Sequence, residues 1–310
     1  MTFWAEMKDH SRFLLGRAIS TYFNREEGVP ADSLTVKFSA DSVWENLYRV
    51  YAYQEGELVF SGIVDEQNTH LDKKGFTVEL VCRSLAALLL DNEAEPMTLR
   101  NPSWRVMCLK YAESFGLSAK ESVHSVEVKG DFEIKKGESC WTVLSRYAEQ
   151  FLGGKLTVNK KGELLWKQEE PRTRELHSII SAQQRYCPYK KISRIWIQNA
   201  AGAYQIGYNN EKTEGISRQR FFSYQDNRSP IAYVNQTEQE VVQWEIQCAD
   251  FIMAEPGDRV QLNITGFLPQ TDLYIHRIRY TESADGVRTI FVLREKEENK
   301  NVADKENNAR

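Results

Sequence analysis

The hydrophobic period changes twice along this chain, from two residues to about 3.6 and back to two, which fixes the order of sheet, helix and sheet. Near the start, Leu34, Val36 and Phe38 alternate with Thr35, Lys37 and Ser39. Leu58, Phe60 and Val64 repeat the alternation after a Glu55-Gly56 turn that follows a Tyr48–Tyr53 strand, and Phe76, Val78, Leu80 and Cys82 do so again. In the middle, Trp104, Cys108, Tyr111 and Phe115 recur at i, i+4, i+7 and i+11, a helical stripe. Trp141, Leu144, Tyr147, Ala148 and Phe151 line one face of a second helix. Period two then returns in Ile195 and Ile197, in Tyr204, Ile206 and Tyr208, and most cleanly in Val242, Trp244, Ile246 and Cys248. Val260, Leu262 and Ile264 follow, and Leu273–Tyr280 with Val287–Leu293 form a hairpin across Ala284-Asp285-Gly286.

Short consecutive strands at the start predict an antiparallel barrel or sandwich. Ser84 is placed to cap a short helix carrying Leu85, Leu88 and Leu89, and Asp91–Pro96 reads as a linker. Asn101 reads as a helix N-cap with Pro102 in the first turn and Gly116 at the exit. After a short strand near Val126–Val128, residues 131–168 read as strand, helix and hairpin, with Gly153-Gly154 ending the helix and Asn159–Gly162 turning the hairpin. The fold class expected is α+β, mainly β. Residues 1–92 form a first β domain, 93–170 a small α/β domain and 171–297 a second, barrel-like β domain, with strand exchange between the two β domains allowed. Residues 298–310 form a disordered tail, because the stretch from Glu295 has no aromatic residue and one valine.

Composition narrows function mostly by exclusion. A net charge of −4 argues against specific nucleic-acid binding, which needs a basic surface. The longest apolar run, Leu85–Leu90, is far too short to span a bilayer, and Met1–His10 lacks a basic-then-apolar signal layout, so neither membrane insertion nor secretion is expected. Cys82, Cys108, Cys140, Cys187 and Cys248 are odd in number and far apart, which suits core packing in a reducing compartment. His10, His70, His124, His177 and His276 show no metal-ligand spacing, with His276 inside a strand beside Tyr274 and Ile278. No nucleophile elbow, phosphate loop or cofactor motif occurs, so no catalytic, metal or cofactor residue is assigned. Asn235-Gln-Thr237 and Asn263-Ile-Thr265 are chance glycosylation matches. Seven Trp, fourteen Tyr and fourteen Phe fit core packing and an extended protein–protein interface equally well.

Phe132–Tyr147 resembles the opening of a LysM peptidoglycan-binding module, with strand, Lys135-Lys-Gly-Glu-Ser139, a helix with Trp141, and Tyr147. That resemblance implies a second helix after Gly154 and glycan contact by the Lys135–Ser139 turn. A cell-wall-binding or wall-degrading tail protein is thus the alternative function, although β-propensity after Gly154 opposes the second helix. A broader similarity covers residues 55–295. Leu58–Asp65 resembles the "strand, Gly-x-Val/Ile-Asp" segment of the phage baseplate hub family, which includes Mu-type tail hubs and late-control D proteins and relates to the N-terminal half of type VI secretion spikes. Phe76–Asp91 is similar to its strand followed by an Arg-(Ser/Asp)-x-x-x-x-Leu-x-Asp helix. Residues 131–168 resemble its strand–Gly-Glu-Ser/Thr–helix–Gly–hairpin unit, and Pro256–Leu262, Leu273–Ile278 and Gly286–Leu293 its closing barrel. Residues 1–30 carry no motif of that family.

This resemblance implies two antiparallel tube-like β-barrel domains flanking the α/β domain. It implies a non-enzymatic homotrimer that adapts a six-fold tail tube to a three-fold central spike. The implied partners are the tail tube protein, the spike protein and other baseplate proteins. The implied place is the tail baseplate of a virion, bacteriocin or phage-like contractile particle, after synthesis in the bacterial cytoplasm.

Overall fold

A computed structural model describes residues 1–119, 128–166, 170–210, 213, 215, 217–226 and 228–295. The chain is mainly β with few helices, and it divides into two compact units. The first holds Met1–Pro171 and Arg279–Arg288; the second holds Arg172–Ile278 and the residues from Thr289 onward.

The first unit opens with seven strands: β1 (Thr2–Glu6), β2 (Arg12–Gly16), β3 (Ser20–Glu26), β4 (Ser33–Ala40), β5 (Arg49–Gln54), β6 (Glu57–Asp72) and β7 (Gly75–Ser84). Their order is β3-β4-β7-β6-β5-β1-β2, every pairing antiparallel, with β2 as an open edge. The alternating residues meet on one face: Phe3, Leu34, Val36, Phe38, Phe60, Val78, Leu80 and Cys82 are all buried. Phe3 meets Phe38, and Phe23 meets Phe60, edge to face at 5.6 Å. β1, β2 and β3 lie in the segment that carries no family motif.

The α/β part follows with α1 (Ala87–Asp91), β8 (Met97–Arg100), α2 (Trp104–Tyr111), β9 (Ser118–Ala119), β10 (Asp131–Ile134), α3 (Cys140–Tyr147), β11 (Thr157–Val158) and β12 (Glu163–Leu165). Two helix starts differ from expectation. Ser103, not Asn101, caps α2 by accepting from the Val106 N–H; Asn101 adopts φ +47° and its side chain accepts from Gly130 N–H at 2.7 Å. Ser84 does not cap α1, because its hydroxyl accepts from the Asp32 N–H at 3.0 Å. Ser139 caps α3, a π-helical turn continues it through Leu152, and Gly153 ends it at φ +67°. The β11–β12 hairpin forms as expected, and β12 also pairs in parallel with β9. The strand expected near Val126 lies largely outside the described residues.

The second unit contains β13 (Thr173–Arg174), β14 (Ile179–Tyr186), β15 (Arg194–Gln198), β16 (Tyr204–Asn209), β17 (Gln219–Phe222), α4 (Pro230–Glu238), β18 (Val242–Cys248) and β19 (Arg259–Leu262). The hairpin of β20 (Gln270–Ser283) and β21 (Gly286–Glu295) closes the chain; its tip belongs to the first unit, where β20 neighbours β3. The main sheet of the second unit runs β14-β18-β21-β20-β19-β13, with β14 as its open edge. Trp244, Ile246, Cys248, Val260, Leu262, Leu273, Ile275, Phe291 and Leu293 form its core.

The Ile195 and Tyr204 strands do not join that sheet. They form a separate three-stranded sheet, β16-β15-β17, over a small core of Ile192, Ile195, Phe222 and Val234 from α4. The even spacing of Tyr204, Ile206 and Tyr208 also misleads, because the register shifts between Ile195 and Trp196. Gly207 is the extra residue of this bulge, so Tyr208 turns to the core while Tyr204 and Ile206 stay exposed. Among the described residues no pairing joins the two ends of either sheet order. The tail from residue 296 lies outside the described residues.

Candidate functional site

Two motif segments that are distant in sequence converge on one arginine. In β6 the register shifts between Val64 and Glu66, leaving Asp65 unpaired in the ladder and free to reach across to β7. Arg83 donates to both Asp65 oxygens, at 2.6 and 3.0 Å, and to both Asp91 oxygens, at 3.1 and 2.7 Å. The pairing holds the Asp91 carboxyl below the ordinary carboxylate range. It ties strand β6, strand β7 and the end of α1 together, so the "Gly-x-Val/Ile-Asp" and "Arg…Asp" motifs are one structural clamp. Gly62 serves the same junction: a Cβ there would lie 2.2 Å from the Arg83 carbonyl oxygen.

The LysM-like segment is occupied internally. Glu138 accepts from the Lys135 N–H at 2.7 Å and from Arg146 at 2.9 Å, which closes the turn on itself. Thr157–Val158 and Glu163–Leu165 pair as a hairpin where that module has its second helix.

The residues considered for chemistry are scattered. His10 bonds Glu6, His177 lies 3.7 Å from Asp250, His70 is exposed on β6, His276 lies on β20, and His124 falls outside the described residues. No group of three or more His, Cys, Asp or Glu able to hold a metal occurs among the described residues. All five cysteines are buried free thiols. Burial pushes Cys108 up to about 12 and Cys248 up to about 11, far from a reactive thiolate. Among the described residues no helix is long and apolar enough to cross a membrane.

What the surface does offer is sheet edge. On β2, Phe13 and Leu14 are exposed, and Leu14 lies opposite the exposed Trp4 of β1. On β14, Ile180 and Tyr186 are exposed. Neither strand carries proline, and an unpaired edge with apolar side chains invites another strand. The composition could not place these edges, because alternation identifies strands and not their neighbours.

One charged network anchors the β2 edge. Glu6 is buried at 3% side-chain exposure, yet accepts from Arg12 at 2.7 Å, Tyr51 at 2.8 Å and His10 at 3.1 Å. Burial alone would raise its pKa; the hydrogen bonds from Tyr51, His10 and Arg12 outweigh it and bring the carboxyl down to about 2. A depressed folded-state pKa contributes stability above the unfolded value of 4.5, and that stability is lost as pH falls through about 2. The half-exposed Arg12 screens the pair, so the expected contribution is about 1–2 kcal/mol. Chemical denaturation of wild type and Glu6→Gln between pH 7 and pH 2 should show a gap that closes on acidification; a constant gap would refute the assignment.

No protein-family model matches this sequence, and no curated protein matches it. Solved structures do match its fold over most of the chain. The 43 kDa tail protein of prophage MuSo2 from Shewanella oneidensis is 13% identical with a TM-score of 0.74, covering 94% of this chain and 97% of its own. The tail protein from Neisseria meningitidis MC58 is 15% identical with a TM-score of 0.68, covering 95% and 96%. The E. coli c3393 protein, a type VI secretion component with structural similarity to the T4 tail proteins gp27 and gp5, is 9% identical with a TM-score of 0.53, covering 91% and 74%. The chain therefore shares the fold of phage tail proteins and of a gp27-like secretion component, as the four motif segments implied.

Proposed function

We propose that this chain is the structural baseplate hub of a phage tail or phage-like contractile injection particle, a homotrimer that adapts a six-fold tail tube to a three-fold spike. The fold match that spans nearly the whole of this chain and of two tail proteins carries the proposal. Residues 1–92 and 171–297 act as two tube-like barrel domains, with residues 93–170 as the α/β domain beside them. A three-fold ring of two similar domains per chain offers six near-equivalent units to the tube.

The open edges support this role. β2 and β14 are different surfaces, so pairing between neighbouring copies is head to tail and closes if the rotation matches. Strand addition at those edges would complete walls that each sheet leaves open. The partners are further copies, the tube protein, the spike protein and other baseplate proteins, and the role is non-catalytic.

The test is mass measurement by sedimentation and native mass spectrometry, with and without the co-expressed spike protein of the same particle. A species near three times the 35.9 kDa of one chain is expected, at the latest when the spike is present. A chain that stays monomeric with its spike overturns the proposal.

A further inference from the structure

The three-stranded sheet of the second unit carries a surface unlike the rest of this acidic chain. From Leu176 to Asn210 there is no Asp or Glu, although the whole chain has 44 of them. The same run contributes Arg185, Lys190, Lys191 and Arg194, with Arg218 just before β17 and Arg220 on it. Lys190 is paired with Glu240. Arg194, Lys191 and Arg218 instead lie against rings, at 5.6 Å from Trp196, 5.6 Å from Tyr186 and 5.7 Å from Tyr189, without a carboxylate partner among the described residues.

The outward face of the sheet is aromatic. Trp196 and Phe221 lie nearly parallel, with ring centroids 6.2 Å apart and an interplanar angle of 7°, and Tyr204 meets Phe221 edge-on at 5.2 Å. The Trp196 Nε1–H donates to Gln219 at 2.6 Å, which fixes the indole in place. Phe221 is nevertheless 59% exposed, and Ile206 52%. This is a preformed apolar patch, with Arg194 beside it that has no carboxylate partner among the described residues.

Beside it runs β16, which pairs with β15 and with no other strand among the described residues. Its sequence, Tyr-Gln-Ile-Gly-Tyr-Asn, contains no charge and no proline, the usual means of blunting an edge. Nor does a second copy of this strand suit it, since β16 carries no carboxylate that could meet Arg194. Backbone donors and acceptors in a row match a polypeptide strand, which a nucleic acid cannot imitate.

We propose that β16 receives an extended, acidic segment of another protein as a fourth strand, its carboxylates meeting Arg194, which reaches Asn209 at the end of β16, and its apolar side chains resting on the exposed Tyr204 and Ile206. The site is independent of the trimeric hub and stands or falls separately from it.

The probe is a fluorescent peptide of about ten alternating Val and Glu residues, compared with a Val–Lys peptide, with the Val–Glu peptide N-methylated at alternate residues, and with oligo-dT. With the full chain, the Val–Glu peptide is expected to bind at least roughly tenfold more tightly than the other three. Arg194→Gln should weaken it by about fivefold, with unchanged circular dichroism. Amide exchange in residues 204–209 should slow on binding, which surface attraction alone would not cause. Undiminished affinity of the N-methylated peptide, tighter binding of oligo-dT, or no preference over Val–Lys overturns the proposal.

Discussion

Gly62→Val is expected to cost about 3 kcal/mol or more, the upper range for forcing volume into a packed site. The added Cβ would lie 2.2 Å from the Arg83 carbonyl oxygen, 2.8 Å from its carbonyl carbon and 2.5 Å from the Phe60 ring. A side-chain tip could swing aside, but the main obstacle is backbone in the strand that pairs with β6. That strand is held on its other side by β4 and through Arg83 by Asp65 and Asp91, so it has no direction in which to yield. The melting temperature should fall by roughly 6–12 °C. Gly28→Ala is the control: its φ of +77° strains alanine, yet no atom lies within 4 Å, and it should cost only about 1 kcal/mol. Calorimetry on both variants checks the contrast, and a Gly62→Val protein melting with wild type would refute the packing argument.

That glycine shows how much of the fold could be read from residues alone. Its segment could be picked out as a motif, but not the cause, because the Arg83 carbonyl comes from a strand about twenty residues on. Strands with clean alternation, such as β4, β7 and β18, were legible because one face is buried and the other is not. β14 was not, since most of its side chains are exposed and it therefore lacks a two-residue period. α4 escaped for a related reason: Val234 is its one buried residue, too few for a stripe. β8 was not legible either, because its four residues pair only with β10. That β15 and β16 pair with β17 and not with the closing strands could not be read either, because alternation does not name a strand's neighbour, and the bulge between them changes faces without changing the sequence period. The absence of catalytic motifs was plain in the sequence. The exposed edges and the cationic aromatic face were not, because both depend on which strand lies next to which.

Trp104→Ala is the other large effect expected, at about 3–5 kcal/mol for emptying a tryptophan site. Trp104 is fully buried where α2 meets α3, stacked on Tyr147 at 5.9 Å, and Phe132 packs edge-on against the same Tyr147 ring at 5.4 Å. Tyr147 in turn donates its hydroxyl to the Pro102 carbonyl at 2.5 Å, which locks the start of α2 to the end of α3. Removing the indole therefore leaves a cavity bounded by groups that are held in place and cannot collapse into it. The same site makes an opposite prediction for phenylalanine. The Trp104 Nε1–H is buried with no acceptor among the described residues, a state that costs about 1–3 kcal/mol. Trp104→Phe removes that donor while keeping an aromatic ring on Tyr147, so the gain offsets much of the lost volume and the net change should stay within about 1.5 kcal/mol. Urea denaturation of both variants, with Tyr147→Phe and the double variants to isolate the ring contact, separates the two contributions. Equal losses for alanine and phenylalanine would mean that the indole nitrogen, not the ring, holds the site, and that it has found a partner.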